Sequence, residues 1–460
     1  MRAFGFLAAL VGTAAAAPFT MDLSPSSSII RRGPTNPNNQ YTRLDMSKPE
    51  KVKVREKDLI KGVYHSDKTL SMAKTQIKAP VEQTIKLKLV NNIGGENLNC
   101  YISGADSEGK VFFLGEQADL IYPTSGGSAE PVPVEGPIAI KMPPQGETFE
   151  ITVPIAFSSG RIYFAQGELD FFMVAIDGGD GLVQPSISNL EDPSRNINWG
   201  FVEMTLTEEG EIWANISYVD FVGLIMSMTL NNKDNTTQEV IGLPSDAVNT
   251  VCEALKAQGD ADGKPWGGMC IATEDGTPIR VLSPEDFAEV SDDGFGDYWN
   301  QYIDEVWAKY SSEPLTINTQ ADPGEVKCQV EGDELKCEGD NRGYPKPDII
   351  DIWGCNSGPF SVLEGDNEVH VAVVPRLCAA FNRSTFTVDG GNYQPGPGPD
   401  MYYTVDPTNH YSRIIHENEV DGRGYAFPYD DVNPDGNEDA AGLVASRNHE
   451  ELIFYVGGAQ

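Results

Sequence analysis

The 460-residue sequence has few basic residues and lacks the short motifs of many common enzyme classes. Lys and Arg number 33 against 69 Asp and Glu, which gives a formal net charge of −36. Nucleic acids and anionic membranes need clustered Lys and Arg, so this composition argues against both as partners. The sequence contains no CxxC, GxSxG, HExxH, Walker loop or strand-linked GxGxxG. Their absence argues against zinc-ribbon, thioredoxin, serine-hydrolase, zinc-protease and nucleotide-dependent chemistry.

Long apolar runs are also missing, so the sequence predicts no transmembrane helix. The first 17 residues combine Arg2, an apolar run over 4–11 and small residues before Pro18. This arrangement predicts a secretory signal peptide that is cleaved near Ala16 or Ala17. Residues 18–79 are then interpreted as a flexible leader or propeptide, with Arg31-Arg32 as a second processing site. We therefore expect a secreted, extracellular protein, and association with a cell wall stays open.

Seven cysteines fit an exported protein. Their spacing along the chain favours the pairs Cys252–Cys270, Cys328–Cys337 and Cys355–Cys378, with Cys100 left single, although sequence alone does not fix the connectivity. Three glycosylation sequons begin at Asn215, Asn235 and Asn382. Disulfides and glycans are both expected outside the cytoplasm.

Short alternating runs predict a mainly β fold with a smaller α/β part. The first is Thr84–Leu89, and further runs occupy 110–114, 137–142, 149–153, 161–165 and 169–175. Helices are predicted after Ser245 as far as Gly259, after Ser283-Pro284, after Asp297 and over 409–421. The aromatic stripe of the third helix, from Trp299 to Tyr310, is interpreted as core. We expect a β-barrel or sandwich domain over 80–235 with the catalytic strands, a mixed α/β domain over 236–315, and remaining strands and a last helix over 316–460.

Two acidic residues, Glu203 and Asp220, lie within apolar, β-prone runs with Trp213 between them. Acidic residues are depleted in strands and are rarely buried, so each needs a partner or a function. Two carboxyl groups near a flat aromatic surface suit hydrolysis of a glycosidic bond. In a strand Glu203, Thr205 and Thr207 share a face, and a turn at Glu209-Gly210 would bring them beside Trp213, Asn215 and Ser217.

Each of these residues also has an ordinary structural interpretation. Glu203 fits a solvated strand face, Asp220 fits a strand end where it accepts backbone hydrogen bonds, and Trp213 fits a core. Asp220 has the opposite parity to Trp213, so it reaches the same face only past a bulge or strand end. An acidic run from Asp431 to Asp439 begins like a calcium loop, but Gly442 stands where the loop needs a bidentate Glu. No metal and no cofactor are predicted.

Several blocks of the sequence resemble glycoside hydrolase family 64, in the same order from about residue 80 to 450. They are LVQPSISNLEDPS (182–194), FVEMTL with IWANISYVDFVGL, YIDEVWAKYSSEPLTI (302–317), LCAAFNRST (377–385) and NHYSRIIHE with GRGYAFPYDDV. The resemblance implies a secreted β-1,3-glucanase with a thaumatin-like fold and a wide acidic groove. It implies endolytic cleavage with inversion and release of short laminari-oligosaccharides.

The resemblance also assigns residues. Glu203 matches the family's general acid and Asp220 its general base, while Thr205, Thr207, Trp213 and Ser217 match sugar-contacting positions. Thr207 replaces an amide side chain of the family. The expected partner is β-1,3-glucan, bound by a monomer without nucleic acid or membrane. Two alternatives remain open, a non-catalytic thaumatin-like glucan-binding protein and a hydrolase of mixed-linkage or β-1,6-glucan.

Overall fold

The structure is a computed structural model that describes residues 39–44, 52–63, 71–73, 83–94, 97–291, 294–436 and 441–458. The predicted signal peptide lies outside the described residues. Three parts of the predicted leader lie inside them and include short strands paired within sheets. No helix in these ranges has the length and apolar character needed to span a membrane.

The described strands and helices are listed here in chain order. The strands are β1 (Thr42–Arg43), β2 (Leu59–Val63), β3 (Ser71–Ala73), β4 (Ile85–Asn91), β5 (Leu98–Ala105), β6 (Val111–Leu114), β7 (Leu120–Tyr122), β8 (Val132–Pro133), β9 (Ile140–Lys141), β10 (Thr148–Val153), β11 (Phe157–Gln166), β12 (Phe172–Ile176), β13 (Gly179–Val183), β14 (Asn198–Leu206), β15 (Ile212–Ile216), β16 (Phe221–Val222), β17 (Met226–Asn232), β18 (Thr237–Val240), β19 (Cys270–Ala272), β20 (Pro278–Leu282), β21 (Leu315–Asn318), β22 (Glu325–Glu331), β23 (Glu334–Cys337), β24 (Tyr344–Pro345), β25 (Tyr393–Gln394), β26 (Leu443–Ser446) and β27 (His449–Val456). The helices are α1 (Ala247–Asp262), α2 (Pro284–Val290), α3 (Asn300–Ser312), α4 (Ile349–Gly354), α5 (Glu368–Asn382) and α6 (His410–Asn418).

The chain divides into two compact units. The smaller unit contains Gly296–Thr408 and Val432–Asn437, and the larger unit contains Asn36–Phe295, Asn409–Asp431 and Glu438–Gln460. The helix-rich smaller unit is thus inserted into the β-rich larger unit. A mainly β protein with a smaller α/β part is the predicted fold class, and the structure confirms it.

Two sheets make up the framework of the larger unit. One has nine strands in the order β26-β15-β14-β11-β5-β6-β7-β3, with β9 paired to β5, and the other has the order β10-β4-β27-β17-β18. Strand β4 alternates between buried and half-buried residues, and Ile85, Leu87 and Leu89 are fully buried. This alternation is the predicted one, because a strand with period two gives one face to the core. Two four-stranded sheets, β1-β19-β20-β16 and β2-β13-β12-β8, complete the unit.

The smaller unit packs its helices beside the sheet β24-β23-β22-β21-β25. The stripe of α3 and the residue before it is buried, with Trp299, Tyr302 and Tyr310 fully covered, which confirms its interpretation as core. Tyr310 Oη lies 2.7 and 2.8 Å from the carbonyl oxygens of Phe386 and Gly391, so its hydroxyl proton has an acceptor as burial requires.

The three favoured disulfides are all present: Cys252–Cys270, Cys328–Cys337 and Cys355–Cys378. Cys100 is a free, buried cysteine on β5. Burial raises the pKa of its thiol well above the ordinary value, because the thiolate would lose its hydration. We therefore expect Cys100 to be an unreactive core residue.

The end of α1 corrects one expectation. The sequence analysis placed the end of this helix at Gly259, but the helix continues to Asp262 and ends at Gly263, which adopts the left-handed conformation with φ of 73°. Gly259 serves a packing role instead. A Cβ atom there would lie 2.3 Å from Oδ1 of Asn39, so glycine allows residue 39 to approach the helix closely.

Candidate active site

Strands β14 and β15 form a hairpin that carries most of the predicted site. Glu203 pairs with Asn215 and Thr205 with Trp213 in its antiparallel register. Residues paired in this way project from the same face, so the structure confirms the face that the sequence pattern predicted. The amide of Gly210 donates to the carbonyl of Thr207 at 3.0 Å, and Gly210 has φ of 78°, which glycine adopts without strain.

Glu203 has two hydrogen-bond partners on this face. Its Oε1 accepts from Nη2 of Arg161 at 3.1 Å, and its Oε2 accepts from Nδ2 of Asn215 at 3.4 Å. The side chain is 40% exposed. Its neighbours Val202 and Met204 are buried and point to the opposite face of the sheet, so they do not remove water from the carboxylate. Glu203 is therefore accessible to a ligand and is oriented by two donors.

Arg161 was not singled out by the sequence analysis. It lies on β11 directly opposite Glu203, and its guanidinium carbon is 4.4 Å from the centroid of the Phe201 ring. Burial acts to lower its pKa, but the charges of Glu203 and Asp220 outweigh that effect, so the pKa stays above the ordinary value. A permanently charged side chain is thus bonded to Glu203 and acts through its charge on Asp220. The sequence shows Arg161 only as a basic residue within the β-prone run RIYF, and this pattern does not reveal that Glu203 is its partner.

Asp220 lies outside the regular strands, in a bend between β15 and β16. Its backbone carbonyl accepts from the amide of Ser283 at 2.8 Å. This position past a strand end removes the parity problem, because the alternation of β15 no longer applies there. The charge of Glu203 influences Asp220, as do those of Asp286, Arg161 and Lys57.

The surroundings of Asp220 raise its pKa from 3.8 to about 6. Burial is the main cause and the carboxylate of Asp286 adds to it, while Arg161 acts in the opposite direction. Glu285 shows the same behaviour, since burial and Asp286 raise its pKa to about 7. The region around Asp220 is therefore a cluster of carboxyl groups in which Asp220 and Glu285 have raised pKa values, and Arg161 and Lys57 supply the positive charges.

The four other predicted residues are distributed along the hairpin. Thr205 and Trp213 lie side by side on the face of Glu203, and both are half-buried. Thr207 lies at the turn, where its hydroxyl accepts from the amide of Glu211 at 3.1 Å. Ser217 lies at the other end, in a bridge with Tyr425. The structure thus groups Thr205 and Trp213 with Glu203 and places Thr207 and Ser217 at opposite ends of the hairpin.

Within the described ranges, no group of three or more His, Cys, Asp or Glu side chains is arranged to hold a metal ion. In the acidic run at 431–439, the carboxylate of Asp435 accepts hydrogen bonds from Gln320 at 2.9 Å and Asn318 at 3.2 Å. Residues 437–439 of that run lie outside the described residues.

A β-rich framework with Glu203 accessible on a strand face, and with Asp220 within the influence of its charge, indicates a candidate glycosidase. The sequence profile of glycoside hydrolase family 64, described as β-1,3-glucanase, matches residues 83–456. The chain belongs to this family. The predicted resemblance is therefore confirmed.

Curated relatives and solved structures agree with this assignment. Two proteins named glucan endo-1,3-beta-glucosidase, from Cellulosimicrobium cellulans and an Arthrobacter species, are 29% identical over 307 residues, which cover 63% of this chain and 53% of each relative. The chain thus spans about half the length of these relatives. A laminaripentaose-producing β-1,3-glucanase solved with laminaritetraose has a TM-score of 0.70 and 28% identity, covering 81% of this chain and 98% of that one. A family 64 domain from Clostridium beijerinckii has a TM-score of 0.62 at 19% identity, with the same coverage, and supports the fold.

Proposed function

We propose that the protein is an extracellular endo-β-1,3-glucanase that cleaves laminarin-type glucan with inversion and releases short laminari-oligosaccharides. Membership of family 64 supports this proposal, as do the names of the two curated relatives and the laminaritetraose held by the solved neighbour at 28% identity. The observation that carries it in this chain is the pair Glu203 and Asp220, one accessible and oriented by two donors, the other half-buried with a raised pKa.

The two carboxyl groups suit different roles. An inverting glycosidase needs an acid that protonates the leaving oxygen and a base that takes a proton from water on the opposite side of the sugar ring. We assign the acid to Glu203 and the base to Asp220. As the bond from the anomeric carbon to the leaving oxygen breaks, the proton of Glu203 passes to that oxygen. The water oxygen bonds to the same carbon and Asp220 accepts the released proton.

The raised pKa of Asp220 favours a base role. A carboxylate with a pKa of about 6 accepts a proton more strongly than an ordinary aspartate and is still mostly ionised at neutral pH. Glu203 is 40% exposed, so a bound glucan can cover it and remove its water.

The hairpin face beside Glu203 offers a surface for the sugar rings. The indole of Trp213 provides a flat apolar area, and Thr205 next to it provides a hydroxyl group. Carbohydrate sites combine aromatic surfaces with a few well-placed polar groups in this way. We propose that Thr205, Thr207, Trp213 and Ser217 contact the glucan, with Trp213 and Thr205 closest to Glu203 and the other two towards the ends of the hairpin.

Sugar release from a linear β-1,3-glucan tests the proposal. We expect the unmodified protein to release oligosaccharides, and Glu203→Gln and Asp220→Asn to lose activity by about 10³-fold or more while keeping glucan binding. Glu209→Gln is a matched control, because Glu209 is an exposed carboxylate at the turn of the same hairpin. Equal loss in the control, or full activity in either variant, would contradict the assignment.

A substrate with a good leaving group separates the two roles. Hydrolysis of a dinitrophenyl β-laminarioligoside needs no acid, so Glu203→Gln should recover most of its activity on it and Asp220→Asn should not. If Asp220→Asn recovered activity on this substrate and Glu203→Gln did not, Asp220 would be the acid and Glu203 the base. NMR of the first product formed tests inversion, since the α-anomer must appear before mutarotation.

Two alternatives are outcomes of the same experiments. A non-catalytic glucan-binding protein would bind insoluble β-1,3-glucan and release nothing. A hydrolase of another linkage would act on mixed-linkage or β-1,6-glucan but not on linear β-1,3-glucan. Detection of the protein in the culture supernatant tests the expectation that it is secreted, and size-exclusion chromatography tests the expectation that it is monomeric.

A further inference from the structure

Residues 52–63 precede the part of the chain that matches the family, which begins at residue 83, yet they belong to the larger unit. Strand β2 pairs antiparallel with β13 over five residues, from Leu59 opposite Val183 to Val63 opposite Gly179. Val52, Val54 and Leu59 pack against the buried Phe172, Val174 and Val183. We call residues 52–63 the N-terminal clasp.

Arg55 fixes the clasp at the end of β13. Its guanidinium donates to Asp58 at 2.7 and 2.9 Å, to Glu289 at 2.8 Å and to the hydroxyl of Ser186 at 2.6 Å. Asp58 is buried, and its backbone carbonyl accepts from the amide of Gln184 at 2.9 Å. These bonds order the turn at Glu56–Asp58, where Lys57 is located.

Lys57 reaches from this turn to helix α2. Its Nζ lies 2.8 Å from Oδ1 of Asp286 and 2.5 Å from Oε2 of Glu289. The Asp286 side chain is only 7% exposed, while that of Lys57 is 37% exposed. A nearly buried carboxylate is thus paired with a cation from a segment that lies outside the family match.

Asp286 connects this ion pair to Asp220. Ser283 caps helix α2, and its hydroxyl accepts from the amide of Asp286 at 3.2 Å. The amide of the same Ser283 donates to the carbonyl of Asp220 at 2.8 Å. Asp286 and Asp220 therefore share one short structural connection, and the Asp286 charge acts on Asp220.

We propose that Lys57 is a positioning residue for the reaction proposed above, and that its ion pair with Asp286 weakens the opposition of the Asp286 carboxylate to ionisation of Asp220. The N-terminal clasp thereby becomes part of the catalytic apparatus. This inference depends on the proposed base role of Asp220.

The charges around Asp220 set the direction of the effect. Asp286 from α2 and Glu203 from β14 disfavour its ionised form, while Arg161 from β11 and Lys57 from the clasp favour it. On the other side, Lys57 faces Asp286, Glu289 and Arg55. Tyr411 from α6 is also affected, because burial and then the charge of Asp220 raise the pKa of its phenol. Without Lys57, the ion pair that holds Asp286 is lost and Arg161 is the remaining positive charge that favours ionised Asp220, so Asp220 needs a higher pH to ionise.

The test is the pH profile of kcat/KM for Lys57→Met, Lys57→Arg and the matched control Lys61→Met. Lys61 belongs to the same clasp but forms an exposed pair with Glu56, with side chains 63% and 64% exposed. The acidic limb of the profile is the fall in kcat/KM at low pH, where Asp220 becomes protonated. We expect Lys57→Met to move this acidic limb to higher pH and to lower the ratio of activity at pH 5 to activity at pH 8 by roughly threefold. Lys57→Arg and Lys61→Met should keep the profile of the unmodified protein.

A double-mutant cycle with Asp286→Asn isolates the proposed route. If Lys57 acts through Asp286, Lys57→Met should shift the limb less in the Asp286→Asn background, where only the direct charge of Lys57 on Asp220 is lost. The double variant leaves no unpaired carboxylate at position 286, so it also serves if Lys57→Met alone fails to fold. A loss that is equal at all pH values, an unchanged profile, or the same shift in both backgrounds would overturn the proposal. Absence of glucanase activity in the unmodified protein would instead refute the proposed function itself.

Discussion

The raised pKa of Asp220 leads to a quantitative prediction for the pH dependence of hydrolysis. A general base works only when it is deprotonated, and kcat/KM reports the ionisation of the free enzyme. With a pKa of about 6, Asp220 is about nine-tenths ionised at pH 7 and about one-tenth ionised at pH 5. The kcat/KM for a linear β-1,3-glucan should therefore fall about tenfold as the pH decreases from 7 to 5.

The alternative gives a clearly different number. An aspartate at the ordinary value of 3.8 would be more than about nine-tenths ionised at both pH values, so kcat/KM would hardly change. The assay is initial-rate release of reducing sugar at several glucan concentrations, with the protein shown to stay folded across the range. An acidic limb near pH 4 would refute the assignment of Asp220, with its raised pKa, as the base.

A variant of the neighbouring carboxylate attributes the limb to Asp220. After burial, the charge of Asp286 is the next cause of the raised pKa, so Asp286→Asn should move the limb to lower pH. Activity at pH 5 should rise relative to activity at pH 7. A limb that does not respond to Asp286→Asn belongs to another group.

The remaining predictions concern the hairpin and the sequons. Arg161→Met should move the acidic limb to higher pH, because Asp220 loses a favourable positive charge, and weaken catalysis by about 10-fold or more, because Glu203 loses a donor that orients it; Arg161→Lys, which keeps the charge, should retain the limb. Trp213→Ala should weaken glucan binding by about tenfold and Trp213→Phe much less, as measured by affinity electrophoresis in laminarin. Among the three sequons, Asn235 should carry the glycan, because it is exposed in a turn. Asn382 is buried and the Asn215 side chain is hydrogen-bonded to Glu203, so we expect neither to be glycosylated. Glycopeptide mass spectrometry of the active protein tests this, and a glycan at Asn215 would contradict it.

Local patterns predicted much of the framework. The alternation in Thr84–Leu89 and the stripe from Trp299 to Tyr310 both follow from one buried face, which is a local property of the sequence. Gly259 shows the limit of such patterns. Its use depends on Asn39, a residue 220 positions away, so no local signal distinguishes it from a helix terminator.

The candidate site likewise has features that local sequence patterns predict and features that they do not. The shared face of Glu203 and Thr205 follows from strand parity and a recognisable turn. The partners that set its electrostatics do not, because Arg161 is 42 residues from Glu203 and Lys57 is 229 residues from Asp286. Strand register and helix placement bring these charges together, and neither is visible as a motif.

The position of β27 has a consequence for how the chain acquires its structure during synthesis. This strand lies in the middle of its sheet, parallel to β4 on one side and antiparallel to β17 on the other. Until residues 449–456 have left the ribosome, β4 and β17 have no strand between them, and the backbone N–H and C=O groups along their facing edges stay unpaired. The smaller unit, whose residues come earlier, can complete its own sheet first. A nascent chain that stops short of β27 should thus resist protease in the smaller unit while the larger one is digested, and it would depend on chaperones for longer than its length suggests.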